Sequence, residues 1–266
     1  MKFKYIFGGA IMLPLLPFMY LHGQRIVKSV PRLPDAEGPQ GVVAGPENRS
    51  LKLLVVGEST MSGVGVATHE DGFTGALART LGAGWGTQVQ WRVYARSGFT
   101  LRRLKAEVLP LIEETEADLI IVGMGGNEAF KMNTPAGFRR DMQAVIDELR
   151  AKFGPEVPIC FPNMPPIKEF PAFTPLIKFT LGNMVEYFGQ ELTDLIKDQP
   201  NLYYNSEVIR LAHWTKALNM EEDPEAFFSD GVHPSGLTYT TWGNDFGAFI
   251  QREIEFPGRD GMREQQ

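Results

Sequence analysis

Beyond Ser50 the chain alternates short apolar runs with longer segments whose apolar residues recur at helical spacing. That alternation constrains the fold more than any other feature. Leu51–Val56, Val89–Tyr94, Leu119–Val122, Val157–Phe161 and Leu202–Tyr204 read as five short strands, the first rich in the β-branched residues of strands buried on both faces. Between them lie helical patterns: Phe73, Leu77 and Leu81 within Asp71–Leu81; Leu101, Leu104, Val108 and Leu111; then Phe138, Met142, Val145, Ile146 and Leu149 within Pro135–Phe153. Leu176–Ile196 and Ser235–Ile254 supply two more. Strands interleaved with helices imply an α/β fold: a five-stranded parallel sheet with helices on both faces, in three layers. With 266 residues, 43% of them hydrophobic, the chain has enough material for one such domain and a short extension.

Ligands of such sheets bind beyond the carboxyl ends of the strands. Three polar segments fall there: Gly57-Glu58-Ser59, Ala95-Arg96-Ser97-Gly98 and Gly125-Gly126-Asn127-Glu128. A fourth, Asp230-Gly231-Val232-His233-Pro234, occupies the last loop. A serine hydroxyl is a weak nucleophile until a base takes its proton. His233 is the candidate base, and Asp230, three residues away, can fix its tautomer. Taken singly, each residue has a plainer reading. Ser59 suits a helix N-cap, Asp230 a turn, and His233-Pro234-Ser235 a loop leading into a capped helix.

The order Ser59, Gly98, Asn127, His233 resembles that of the SGNH (GDSL-type) hydrolase family, over residues 51–250. The resemblance implies a flavodoxin-like three-layer fold and a serine esterase, lipase-like or lysophospholipase-like in its range. It also implies that Ser59, His233 and Asp230 form a catalytic triad. The oxyanion hole would comprise the backbone N–H groups of Ser59 and Gly98 and the side-chain amide of Asn127, with no cofactor and no metal. Two positions depart from the family pattern: Glu58 and Glu128 each stand where an Asp is usual. Two rival readings accompany the esterase, an O-acetyl carbohydrate deacetylase and a catalytically silent, membrane-tethered binding module.

A formal charge of −6 argues against a nucleic-acid partner. Cys160, the one cysteine, lies in an apolar run and reads as an inert buried thiol. His22, His69 and His213 have no metal-ligand spacing, and His213-Trp214, a rival base without an accompanying Asp, reads as partly buried packing. The apolar and proline-rich stretch Phe161–Phe173, which includes Phe170, is expected either to wall the site as an acyl-binding surface or simply to pack.

The N-terminus differs in kind. Tyr5–Leu21 is free of charge and mostly apolar; as a helix it would span roughly 25 Å. Residues 1–24 are therefore expected to be a single-helix membrane anchor, its side open, with a cleaved signal segment and a secreted or periplasmic product as the alternative. Residues 25–49, rich in Pro and Gly, read as a linker, 50–257 as the hydrolase domain, and 258–266 as a polar tail. The expected partners are an ester substrate and, through the N-terminal segment, a membrane.

Overall fold

The computed structural model describes residues 31–46, 49–220 and 223–260. All five expected strands form and run parallel. They are β2 (Arg49–Gly57), β3 (Gln88–Ala95), β4 (Leu119–Gly123), β5 (Ile159–Phe161) and β6 (Leu202–Tyr204). Strand β2 is central. Leu53 faces Trp91 of β3 on one side and Leu119 of β4 on the other, and Leu51, Val55 and Val56 are fully buried. Burial on both faces explains why these strands read as apolar runs rather than as alternating patterns.

The sheet also contains two antiparallel strands, a correction to the purely parallel five-stranded expectation. β1 (Gln40–Val43) pairs with the outer edge of β3, and β7 (Arg259–Asp260) pairs with Arg49 and Ser50. Both lie in segments read as linker and tail. Strand β1 escaped notice because its four residues, Gln-Gly-Val-Val, sit among turn formers; the ring of Trp91 occupies the place a side chain at Gly41 would take. Upstream of it, Asp35 accepts a hydrogen bond from the Ser62 hydroxyl at 3.0 Å, so this segment also packs on the domain.

Spatially the strands run β1-β3-β2-β4-β5-β6. The first parallel strand, β2, therefore lies between the second and third, and the winding reverses there. This is the flavodoxin-like order, and its switch point opens a crevice beyond the ends of β2 and β4.

Helices α1 (Phe73–Trp85), α2 (Leu101–Arg103), α3 (Gly126–Phe130), α4 (Pro135–Phe153), α5 (Pro175–Ile196), α6 (Leu211–Ala217) and α7 (Gly236–Glu253) complete the layers. Helix α7 packs on α1 through Phe73, Trp242 and Phe246, and Gly243 lets the two backbones approach closely. On the other side α4 and α5 meet through the stacked rings of Phe138 and Phe188, 4.7 Å apart. Thr134 caps α4 by accepting from Gly137 N at 3.0 Å, with Pro135 at the first helical position, where its missing N–H costs nothing. The helix expected over Leu101–Leu111 is irregular: α2 passes into a π turn, Leu104–Val108, and a 3₁₀ turn, Leu109–Leu111. Pro110 has no N–H with which to continue an α ladder.

Cys160 is fully buried in β5, and burial pushes its thiol far above the usual range, as an inert core residue requires. Among the described residues no helix is long and apolar enough to cross a membrane. The expected anchor at Tyr5–Leu21 lies outside the described residues.

Candidate active site

Ser59 follows the end of β2, in a turn closed by Val64 N donating to Ser59 O at 3.1 Å. Helix α1 is capped by Gly72, so Ser59 is not its N-cap. Gly57 and Gly123, paired at the ends of β2 and β4, leave the space into which the Met61 side chain fits. Gly98 follows β3 with φ +78°, a left-handed conformation that glycine adopts without strain. Asn127 lies in the first turn of α3, beyond β4.

The last loop arrives from another direction. Ser229 N donates to His233 O at 2.9 Å, closing a tight turn in which Gly231 takes φ +84°. Inside it, Asp230 Oδ1 accepts from Val232 N at 2.9 Å and from His233 N at 2.7 Å, while Oδ2 lies 2.7 Å from His233 Nδ1. The Asp230 side chain is fully buried and that of His233 is 22% exposed. Burial alone would raise the Asp230 carboxyl, but the bonds and charge from His233 and the Val232 N–H outweigh it and hold it below the usual carboxylate range. An ionised Asp230 fixes the proton on Nδ1 and leaves Nε2 free to accept one.

Ser59, Gly98, Asn127 and His233 line one cavity of about 260 Å³. The structure thus gathers four of the five sequence-derived residues around one cavity, with Asp230 bonded to the ring nitrogen of His233. Asn127 Nδ2 is buried and has no hydrogen-bond partner among the described residues. A native donor left in that state calls for an explanation, and an acceptor supplied by a ligand is one.

Most of the remaining lining is apolar, with Phe130, Phe170, Trp214, Phe228, Val232 and Trp242, while Glu58, Thr60, Ser97 and Thr238 add polar groups. From the stretch expected to wall the site, Phe170, Pro165 and Pro166 do line it, whereas Phe173 packs behind, its ring 5.3 Å from Phe170 and 5.9 Å from Phe130. His213 is exposed on α6 rather than packed. Its neighbour Trp214 is buried and donates to Asp245 Oδ2 at 2.7 Å. Phe228 reaches the cavity from the start of the Asp230–His233 loop, Trp242 from α7 just beyond it, and Trp214 from α6. Their apolar patterning marks them only as core residues in the sequence, which does not show that they face a cavity.

The two departures from the family pattern are both buried structural carboxylates. Glu58 accepts from Gly126 N at 2.7 Å and Asn127 N at 2.8 Å, and Glu128 accepts from Leu101 N and Asn133 Nδ2, each at 2.6 Å. Burial raises the Glu58 carboxyl to about 7 against the opposing pull of the Asn127, Gly126 and Gly125 N–H groups, and the Glu128 charge adds to the rise.

A mostly parallel α/β sheet with an apolar cavity at its switch point is an arrangement that many hydrolases share. Residues 55–240 match the GDSL-like lipase/acylhydrolase family, so the chain belongs to that family and is an ester hydrolase. Solved structures share its fold at low identity. A lipase/acylhydrolase from Enterococcus faecalis is 20% identical, with a TM-score of 0.53 over 77% of this chain and 98% of that one. An acetylxylan esterase from Geobacillus stearothermophilus is 17% identical, with a TM-score of 0.52 over 77% and 95% of the two chains. A lipase from a goat rumen metagenome is 19% identical, with a TM-score of 0.53 over 74% and 96%. A search of curated proteins gives no match.

Proposed function

We propose that this chain hydrolyses carboxylic esters of small acyl groups through a Ser59–His233–Asp230 triad. The observation that carries the reading is the 2.7 Å contact between Asp230 Oδ2 and His233 Nδ1 at a cavity that Ser59, Gly98 and Asn127 also line. His233 Nε2 takes the Ser59 proton as Oγ attacks the ester carbonyl. The tetrahedral oxyanion is stabilised by the N–H groups of Ser59 and Gly98 and by Asn127 Nδ2. The alcohol leaves with the proton from His233. Water then adds to the acyl-enzyme with the same base, releasing the acid and restoring Ser59.

A cavity of about 260 Å³ lies at or below the small end of ligand sites, which favours a short acyl group over a long fatty chain. Its size also suits an acetyl group on a carbohydrate, the second reading. The apolar lining favours the simple acyl ester. Tyr5–Leu21, uncharged and mostly apolar, supports a membrane tether for the domain.

A fluorophosphonate probe applied to the full-length protein tests the assignment. It is expected to label Ser59 and to lose that labelling in Ser59→Ala and His233→Ala. Equal labelling of Ser59→Ala would remove the nucleophile from the account.

A further inference from the structure

We propose that Glu58 is a positioning residue for the oxyanion hole, its carboxylate gripping the backbone of Gly126 and Asn127 so that Asn127 is held at the cavity. The inference rests on the esterase reading and extends it to a residue that performs no proton transfer.

The grip is two-toothed. Oε1 takes Gly126 N at 2.7 Å and Oε2 takes Asn127 N at 2.8 Å, so one carboxylate holds two successive backbone N–H groups. It is also close. A Cβ at position 126 would stand 3.3 Å from Oε1, tighter than an ordinary contact, so glycine there leaves room for the carboxylate. Glu58 is itself anchored, because its N–H donates to Gly123 O at 3.0 Å at the end of β4. Nucleophile and amide donor are therefore tied through one side chain adjacent to Ser59. Glu128 extends the tie: it takes Leu101 N, three residues beyond Gly98, at 2.6 Å. The two glutamates thus join the segments carrying Ser59, Asn127 and Gly98. Both are nearly inaccessible, at 6% and 1% exposure, and such bonds are worth more away from water.

Glutamine is nearly isosteric with glutamate but presents an amide N–H₂ where the second backbone N–H needs an acceptor. Donor would face donor, and α3 would shift or turn. A displacement of about 1 Å in a positioned group costs about 10²-fold in rate.

The test uses full-length wild type, Glu58→Gln, Glu58→Asp, Glu58→Ala and Ser59→Ala, assayed with p-nitrophenyl butyrate at pH 8. Competent sites are counted by fluorophosphonate titration, and inhibition by an alkyl trifluoromethyl ketone is measured, because its adduct with Ser59 places an oxyanion in the hole. Glu58→Gln is expected to lose about 10²-fold in kcat per titrated site with KM little changed, and to bind the ketone more weakly by a similar factor. Glu58→Asp, which keeps the charge and loses one methylene of reach, is expected to recover part of both. Unchanged kcat per site and unchanged ketone affinity in Glu58→Gln, whatever its melting point, would overturn the proposal. If that variant does not fold, unchanged kcat per site and unchanged ketone affinity in Glu58→Ala, which removes the carboxylate, would overturn it. Wild-type turnover that survives in Ser59→Ala would instead refute the esterase assignment beneath it.

Discussion

Asp230 holds His233 at both ends, its Oδ1 on the histidine backbone N–H at 2.7 Å and its Oδ2 on ring Nδ1 at 2.7 Å. One carboxylate therefore sets the position of the residue and the orientation of its ring. The four-residue span from Asp230 to His233, turned by Gly231, makes this possible without any other element.

Asp230→Asn keeps the shape but cannot stabilise an imidazolium and favours the wrong tautomer. Turnover is expected to fall by about 10⁴-fold with the fold retained. Steady-state kinetics with circular dichroism on the same sample check this, and a loss below tenfold would mean that another group orients the base.

Asn127→Ala removes a buried donor that has no partner among the described residues, so stability should change by about 1 kcal/mol or less. Activity should fall by about 10²–10³-fold, or roughly 2.7–4 kcal/mol in the barrier. A large loss of melting temperature with little loss of kcat per folded molecule would assign Asn127 a packing role instead.

The apolar lining of the cavity divides in a testable way. Phe170 lines the cavity, whereas Phe173 packs behind it. Phe170→Ala should move the preferred chain length upward. Phe173→Ala should cost stability, about 3–5 kcal/mol for a buried Phe, with a smaller change in preference. Phe130→Ala, at a residue 40% exposed, is the milder probe of the rim. Identical chain-length profiles in Phe170→Ala and wild type would mean that the acyl group binds elsewhere.

Two carboxylates give stability opposite pH dependences. Glu58 is raised in the fold from 4.5 to about 7. Between those values the native state holds a proton that the unfolded chain releases, so its contribution is full below 4.5 and is lost as pH rises through about 7. The steepest slope is about 1.4 kcal/mol per pH unit. Asp230, held below its ordinary 3.8, contributes stability at neutral pH that is lost as pH falls below that value. Denaturant titrations from pH 4.5 to 8 should show stability declining upward in wild type and flatter in Glu58→Gln; parallel curves would contradict the Glu58 assignment.

Much of this was legible in the sequence because both-face burial leaves unbroken apolar runs, and all five parallel strands were found that way. The segments carrying Ser59, Gly98 and Asn127 fall beyond strand ends by that pattern, and the choice of these three residues within them rests on the resemblance to the SGNH family. What escaped has a common cause. Strand β1, with four residues, and β7, with two, are stabilised by pairing to a sheet already formed and carry too little pattern of their own. Trp214 and Trp242 line the cavity through helix packing, and Phe228 lines it from the same loop as Asp230 and His233, where an apolar residue reads as core. Glu58 and Glu128 were visible as departures from a motif, but their partners are backbone N–H groups, which sequence does not display.

The most direct test compares full-length wild type with Ser59→Ala on p-nitrophenyl esters from acetate to palmitate. The account predicts turnover that depends on Ser59, is greatest for short acyl chains, and falls steeply as the chain outgrows a cavity of about 260 Å³. Turnover that survives in Ser59→Ala, or an optimum at palmitate, would contradict it.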